Sequence, residues 1–197
     1  MGVYEHVKRI LDVILSAVLL FFLLLPLGLI CLMIVLDSPG GVLFCQRRIG
    51  QGGREFVCYK LRTMYRDTPR DCPTSSFLDA DRYVTRVGRF LRRTSLDELP
   101  QLWNVLRGEM SLVGPRPLIP AEGEIHRLRQ RCQVYRVKPG MTGLSQVRGR
   151  DRLSDREKAR LDSRYVHTVS LSADCKILWQ TVWQAWRGED VFHFYQK

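Results

Sequence analysis

Acid, paired cysteine and clustered histidine are what this chain has least of. Twenty Asp and Glu stand against 31 Lys and Arg, a net charge of +11 over 197 residues. The surplus is spread along most of the polar part of the chain. That excludes a neutral domain with one basic tail and points to anionic partners: phosphates, anionic lipid or nucleic acid. The six cysteines, Cys31, Cys45, Cys58, Cys72, Cys132 and Cys175, contain no CxxC pair, and the four histidines are scattered. A zinc site or disulfide framework is therefore not expected, and the thiols read as reduced, in a cytosolic domain. No internal repeat is visible, which removes solenoids and propellers. The glycine-rich stretch at residues 47–53 lacks the GK[ST] ending of a P-loop. No nucleic-acid-binding module is recognisable, and an acidic pair amid the basic stretch would hinder such binding.

What the chain does have, first, is an apolar run at residues 13–36, interrupted only by Ser16, Pro26 and Gly28. No small-x-small cleavage site comes after it, so it does not read as a signal peptide. It divides the chain into an apolar anchor, residues 1–36, and a basic polar domain, residues 37–197. About 20 residues cross the hydrocarbon core as a helix, so the run is long enough to span. Alternatively, Pro26 breaks it into two arms of about 12 residues, roughly 18 Å each, which enter and leave on the same side. Basic residues flank both ends: His6, Lys8 and Arg9 before, Arg47, Arg48 and Arg54 after. Only the hairpin puts both sets on the cytoplasmic side. Asp12 stands one helical turn from Lys8 and near Arg9, and a pairing there would offset the cost of a carboxylate beside lipid.

The remainder reads as α+β, mostly helical with one small β-hairpin. Strands are expected at residues 42–44 and 55–59 around the glycine-rich turn, and a loop at 67–80. Residues 82–93 carry apolar positions at helical spacing, with Arg82, Arg86, Arg89 and Arg93 on one face. That face contains no acid, which suits a membrane surface or a phosphate site as well as plain solvent. Ser95-Leu96-Asp97-Glu98 then reads as a capping box ahead of a helix through Leu99, Leu102, Trp103 and Leu106, with Pro100 in its first turn and Gly108 as its stop. Pro115-Arg116-Pro117 differs in kind: two prolines fix the backbone around an arginine, a guanidinium suited to a bidentate grip on phosphate. Pro139-Gly140-Met141-Thr142-Gly143 is a second tight loop, with Arg148 and Arg150 just beyond. Helices are expected at 121–136 and 172–187. In the latter, Trp179, Trp183 and Trp186 form a stripe that is either core or headgroup-level.

Taken in order, several of these segments resemble the monotopic phosphoglycosyl transferases, the bacterial sugar transferase family. They are Lys8-Arg9-Ile10-Leu11-Asp12; Gly41-Val42-Leu43-Phe44 with Gln46, Arg48, Gly50, Gly53 and Phe56; Lys60-Leu61-Arg62-Thr63-Met64; Asp97-Glu98-Leu99-Pro100-Gln101; Pro115-Arg116-Pro117; and the 139–143 loop. The resemblance covers nearly the whole chain and displaces the capping-box reading. It implies transfer of a phospho-sugar from a UDP-sugar to polyprenol (undecaprenyl) phosphate at the bacterial inner membrane, with the catalytic domain on the cytoplasmic face and a re-entrant helix-break-helix anchor. It implies Asp97 as nucleophile, Glu98 and Asp97 at a Mg²⁺ ion, and Arg116 near the nucleotide, between Pro115 and Pro117. Lys60 and Arg62 are expected to bind phosphate, with Arg89 and Arg148 completing the substrate set. Lys8, Arg9, Asp12 and Pro26 are expected at the lipid, and no nucleic acid partner is expected. One departure stands out: relatives commonly carry Ser before the helix-breaking proline, and here it is Leu25. Two competing readings remain, a one-step transferase in which Asp97 is only a metal ligand or base, and a non-catalytic basic scaffold at the membrane surface.

Overall fold

The computed structural model describes residues 3–68 and 80–187, so most of the loop expected at 67–80 and the Cys72 thiol lie outside the described residues. The chain is mostly helical with two small sheets. Helix α1 (Val3–Asp37) is 35 residues long, about 52 Å at the standard rise. Pro26 lies inside it with helical backbone on both sides, so the expected interruption is not seen. A proline removes one backbone donor, and a long helix can absorb that loss locally. Among the described residues α1 is long and apolar enough to cross a membrane, and only 11% of its most apolar stretch is buried. The core helix of a globular domain would be mostly covered; this one exposes Phe21, Phe22, Leu24, Leu25 and Leu36.

The covered part of α1 is a single stripe. Asp12, Ser16, Ile30 and Ile34 are buried, and Leu20, Leu23 and Leu27 pack partly buried between them. Steps of three and four residues put these positions on one helix face. Both ends of that face are held by polar contacts. At the start, Tyr4 and Lys8 bond the Asp174 carboxylate at 2.7 and 2.6 Å. Arg9 donates to the carbonyls of Val105 and Leu106, and Asp12 accepts from Leu112 N–H. The pairing expected between Asp12 and Lys8 or Arg9 is therefore replaced by bonds from each residue to other elements. Tertiary partners outcompete a neighbour one turn away because they also satisfy buried backbone groups. At the far end, Arg62 donates to the carbonyls of Ile34, Ser38 and Pro39, and Asp37 accepts from Val87 N–H.

Strands β1 (Leu43–Ile49) and β2 (Glu55–Leu61) form the expected hairpin, in antiparallel register from Leu43↔Leu61 to Ile49↔Glu55. It is longer than expected: Arg47, Arg48 and Ile49 belong to the strand, and the turn is carried by Gly52 and Gly53 at φ 67° and 75°. Helix α2 (Arg86–Arg93) starts later than its arginine pattern suggests, because the Thr85 side chain caps it by accepting from Gly88 N–H. Gly88 allows α2 to dock: a Cβ there would lie 2.0 Å from the Thr63 carbonyl oxygen. Helix α3 (Gln101–Arg107) comes next. Its Asn104, fully buried, accepts from Tyr59 N–H and donates to the Val57 carbonyl, fastening α3 to β2.

A second sheet, not expected, pairs β3 (Ser111–Val113) in parallel with β4 (Gly140–Thr142). Three-residue strands are too short to show a period of two. Helices α4 (Gly123–Arg131), α5 (Leu144–Arg148), α6 (Asp155–His167) and α7 (Leu171–Arg187) complete the chain. The helix expected over 121–136 stops at Arg131, where Gln133 turns left-handed at φ 54°. The main core joins Leu102, Val105, Met110, Leu112, Val113, Tyr165 and Ile177. The tryptophan stripe of α7 is outside it: Trp179 and Trp186 are 69% and 80% exposed, Trp179 stacks on Trp183, and Trp183 meets Trp186 at a tilt of 54°.

Candidate active site

The acidic pair lies on a single 3-10 turn, Leu96–Glu98, between α2 and α3. Ser95 is left-handed at φ 54° and its side chain makes no capping bond, so the capping-box geometry is absent. Glu98 turns inward instead. Its Oε1 accepts from Lys60 Nζ at 2.7 Å and from Arg116 Nη2 at 3.3 Å. Lys60 comes from β2, which the Asn104 clamp holds against α3. Arg116 comes from the segment after β3, and that segment is fixed by more than its prolines. Arg48 on β1 donates to the Pro117 carbonyl at 3.1 Å, and Arg129 on α4 donates to the Arg116 carbonyl at 2.7 Å. Arg129 is itself 2% exposed and ion-paired with buried Asp162.

The two carboxyls are pushed apart. Burial alone would raise Glu98, but Lys60 and Arg116, with the charge of Arg150 behind them, hold it well below the usual carboxylate range. Burial pushes Asp97 up, with the Glu98 charge adding and Lys60, Arg92 and Arg116 opposing. Adjacent carboxyls with opposite shifts are a common sign of two different chemical roles. No hydrogen bond from a described residue reaches the Asp97 carboxylate. Both bonds to Glu98 fall on Oε1. Glu98 Oε2 therefore keeps an open acceptor position in a recess lined also by Arg48, Cys58, Lys60, Gln101 and Arg116, and the Asp97 carboxylate stands next to it in the chain, within reach of the charges of Lys60, Arg92 and Arg116. Cys58 is the other nucleophilic atom there, but burial raises its thiol pKa, which disfavours the reactive thiolate.

The structure thus brings together Lys60, Asp97, Glu98, Arg116 and Pro117 of the expected set, with Pro115 lining the next recess. It does not bring in three expected arginines. Arg62 is buried and spent on the carbonyls that end α1. Arg89 and Arg148 are exposed, on α2 and at the end of α5. In their place stand Arg92, whose Nε bonds Thr63 and whose charge acts on Asp97, Arg150, whose charge acts on Glu98, and Arg48. Arg92 is half-buried at the flank of α2, where its bond to Thr63 turns it inward. Lys8, Arg9 and Asp12 serve to seat α1 rather than the acidic pair. Five thiols, at Cys31, Cys45, Cys58, Cys132 and Cys175, are free, as expected.

Comparison with known proteins bears on what such a cluster does. A family model described as bacterial sugar transferase matches residues 3–188. The chain is 46% identical over 184 residues to the UDP-glucose:undecaprenyl-phosphate glucose-1-phosphate transferase of Caulobacter vibrioides, a match covering 89% of this chain and 68% of that protein. It is 41% identical over 193 residues to the UDP-galactose-lipid carrier transferase of Erwinia amylovora, covering 90% of this chain but 40% of that one. It is 40% identical over 191 residues to the exopolysaccharide production protein ExoY of Sinorhizobium fredii, covering 89% and 83%. The chain therefore spans less than half of the Erwinia relative and most of the other two.

Proposed function

The chain belongs to the bacterial sugar transferase family, and from that premise we propose that it moves a sugar phosphate from a UDP-sugar to undecaprenyl phosphate through a covalent aspartyl intermediate. The observation that carries the reading is the Lys60–Glu98–Arg116 cluster beside an Asp97 that no described residue engages by hydrogen bond. An Asp97 oxygen attacks the phosphorus that bears the sugar. The bond from that phosphorus to the bridging oxygen breaks, and UMP leaves with the electron pair. The phosphate oxygen of the polyprenol then attacks the same phosphorus, releasing the Asp97 carboxylate and the polyprenyl-diphosphate-sugar. An acyl phosphate is reactive enough for the second transfer. Both reactants are anionic, so Lys60 and Arg116 screen the approach, and Arg92 and Arg150 add positive potential.

The residues fit Mg²⁺. Among those described there is no group of three or more His, Cys, Asp and Glu side chains, so a site built wholly from the protein is not in view. Mg²⁺ commonly takes one or two carboxylates and completes its shell with substrate phosphate and water, and Asp97 and Glu98 Oε2 are the acceptors left open. When bound there, the ion would neutralise diphosphate charge. Glu98 Oε1 stays with Lys60 and Arg116, which orients its other oxygen.

The acceptor is a lipid, so the site has to lie at a membrane edge. A re-entrant α1, with both ends and the catalytic domain on the cytoplasmic face, is supported by the stripe that packs on the domain from Asp12 to Ile34 and by the contacts at each end. A helix held to the domain at both ends and along the stripe between them is not free to cross the bilayer with the whole domain on one face. The exposed indoles of α7 suit the headgroup level.

The experiment is acceptor-free turnover. With a UDP-sugar and Mg²⁺ but no polyprenol phosphate, the protein should release up to one UMP per site. Intact-protein mass spectrometry should show a phospho-sugar adduct on Asp97 that disappears when acceptor is added. UMP release that strictly requires the lipid would instead establish a one-step transfer, and no UMP release from any UDP-sugar would leave only a scaffold role.

A further inference from the structure

Five consecutive carbonyls, from Pro115 to Ile119, are each taken by a donor from outside the segment. Gly140 N–H donates to Pro115, and Ile49 N–H donates to Leu118. Side chains serve the other three: Arg129 for Arg116, Arg48 for Pro117 and His126 Nε2 for Ile119. The pairing of β3 with β4 ends at Val113, so no sheet ladder continues here. Prolines at 115, 117 and 120 lack an N–H. Carbonyls that leave water without a strand or helix partner need donors from elsewhere.

Arg129 differs from the other two side chains in how it is held. It is sealed from solvent, and so is its partner Asp162. Its Nη1 reaches the Arg116 carbonyl at 2.7 Å and its Nη2 goes to Asp162, whose other oxygen accepts from Ser145 at 2.7 Å. Helices α4, α5 and α6 thus converge on one backbone oxygen. A buried ion pair commonly stabilises no more than an apolar pair of the same size, so packing alone does not account for it. What an apolar pair cannot do is present a rigid fork, with one nitrogen on a carboxylate and another on a carbonyl. That carbonyl belongs to Arg116, whose own Nη2 lies 3.3 Å from Glu98. A guanidinium at the end of a long side chain is aimed only as well as the backbone beneath it is fixed, and errors of about 1 Å can cost on the order of 100-fold in rate. We infer that Arg129 is a positioning residue for the transfer: sealed away from any substrate, it acts through the Arg116 backbone to hold the Arg116 guanidinium between Glu98 and the donor's phosphates. This rests on the reading that Arg116 screens the phosphates of a UDP-sugar.

The test is a double-mutant cycle on kcat/KM for the UDP-sugar that the parent turns over, read as UMP release by the full chain in nanodiscs with polyprenol phosphate and Mg²⁺. Arg129→Lys keeps a cation for Asp162, but a single ammonium loses the fork. It should lower kcat/KM at least ~10-fold. In an Arg116→Ala background the same substitution should change kcat/KM by less than about twofold, because the side chain it positions is gone. A general loosening of the domain would cost the same factor in both backgrounds. That result would overturn the assignment, as would a folded Arg129→Lys protein with parental kcat/KM. Thermal melting establishes folding. Should Arg129→Lys fail to fold, Asp162→Asn, which removes the charge that holds the fork, runs the same cycle with the same two outcomes. An Arg116→Ala protein as active as the parent would take Arg116 out of the reaction, and the positioning role with it. A parent protein that releases no UMP from any UDP-sugar would sink the transferase reading itself.

Discussion

Two segments of this chain share the pattern Ser-x-x-Glu and put it to opposite use. At Ser154–Glu157 the serine side chain accepts from Glu157 N–H at 3.3 Å, and Glu157 Oε2 accepts from Ser154 N–H at 2.8 Å, a complete capping box at the start of α6. At Ser95–Glu98 neither bond exists, and the glutamate is turned into a cluster of cations. The cause lies upstream. Ser95 N–H donates to the Arg92 carbonyl, so Ser95 is the left-handed residue just past the end of α2, whereas an N-cap is usually extended. A serine closing one helix does not open the next, and Glu98 is left to face β2. The same four-residue signature thus depends on the backbone before it as much as on the helix after it.

Substitutions can break that contrast, and the largest effect belongs to Asp97. Asp97→Asn should abolish the covalent adduct and lower turnover on the order of 10³-fold or more, as loss of a nucleophile does. Its melting temperature should hold or rise, since burial already disfavours the charged form. Substantial turnover by a folded Asp97→Asn protein would move the nucleophile elsewhere. Next comes Glu98→Gln, which leaves Lys60 and Arg116 facing a neutral amide. A stability loss on the order of 2 kcal/mol is expected, with a slower rate and a higher Mg²⁺ requirement measured in the same UMP assay.

A smaller effect separates the serines. Ser154→Ala should cost about 1 kcal/mol by chemical denaturation, the usual value of an N-cap, with turnover unchanged. Ser95→Ala loses no cap, and Ser95→Gly should stabilise, because glycine adopts φ 54° without a steric penalty. Equal losses from the two alanine substitutions would show that both serines cap. The smallest effect is the pH dependence of Glu157. Hydrogen bonds from the Ser154 side chain and backbone lower its folded pKa, so the ionised form stabilises the fold. That contribution is present above the ordinary glutamate value of about 4.3 and is lost as pH falls through the lowered one. The melting-temperature gap between the parent and Glu157→Gln should therefore close on acidification. A gap that widens would reverse the sign.

Much of the site was legible in the chain, but unevenly. Asp97-Glu98 and Pro115-Arg116-Pro117 were recognisable as motifs in order, and the hairpin could be read from its glycines. The arginines were harder. Arg89 and Arg92 are one turn apart on α2, and Arg148 and Arg150 are two residues apart. In each pair the pattern drew attention to the first, while the charge that acts on the acids comes from the second. The arginine periodicity of residues 82–93 described the exposed face, and the useful guanidinium was the half-buried one at its flank. Lys60 and Arg62 divide similarly: two residues apart, one bonds Glu98 and the other ends α1.

By itself the sequence determined the local and the additive properties: an apolar stretch long enough for a membrane, a basic balance, a glycine turn between strands, and the presence of an acidic pair and a proline-fixed arginine. Those depend on residue type and near-neighbour spacing, which the chain states directly. Only the tertiary structure decided which cations reach the acids, and that α1 lies along the domain with both ends tied to it. It also decided that Asp12 bonds Leu112 rather than Lys8. A buried polar group takes the partner that folding brings within about 3 Å, and that partner is 100 positions away in the chain, where no pattern of adjacent residues can point.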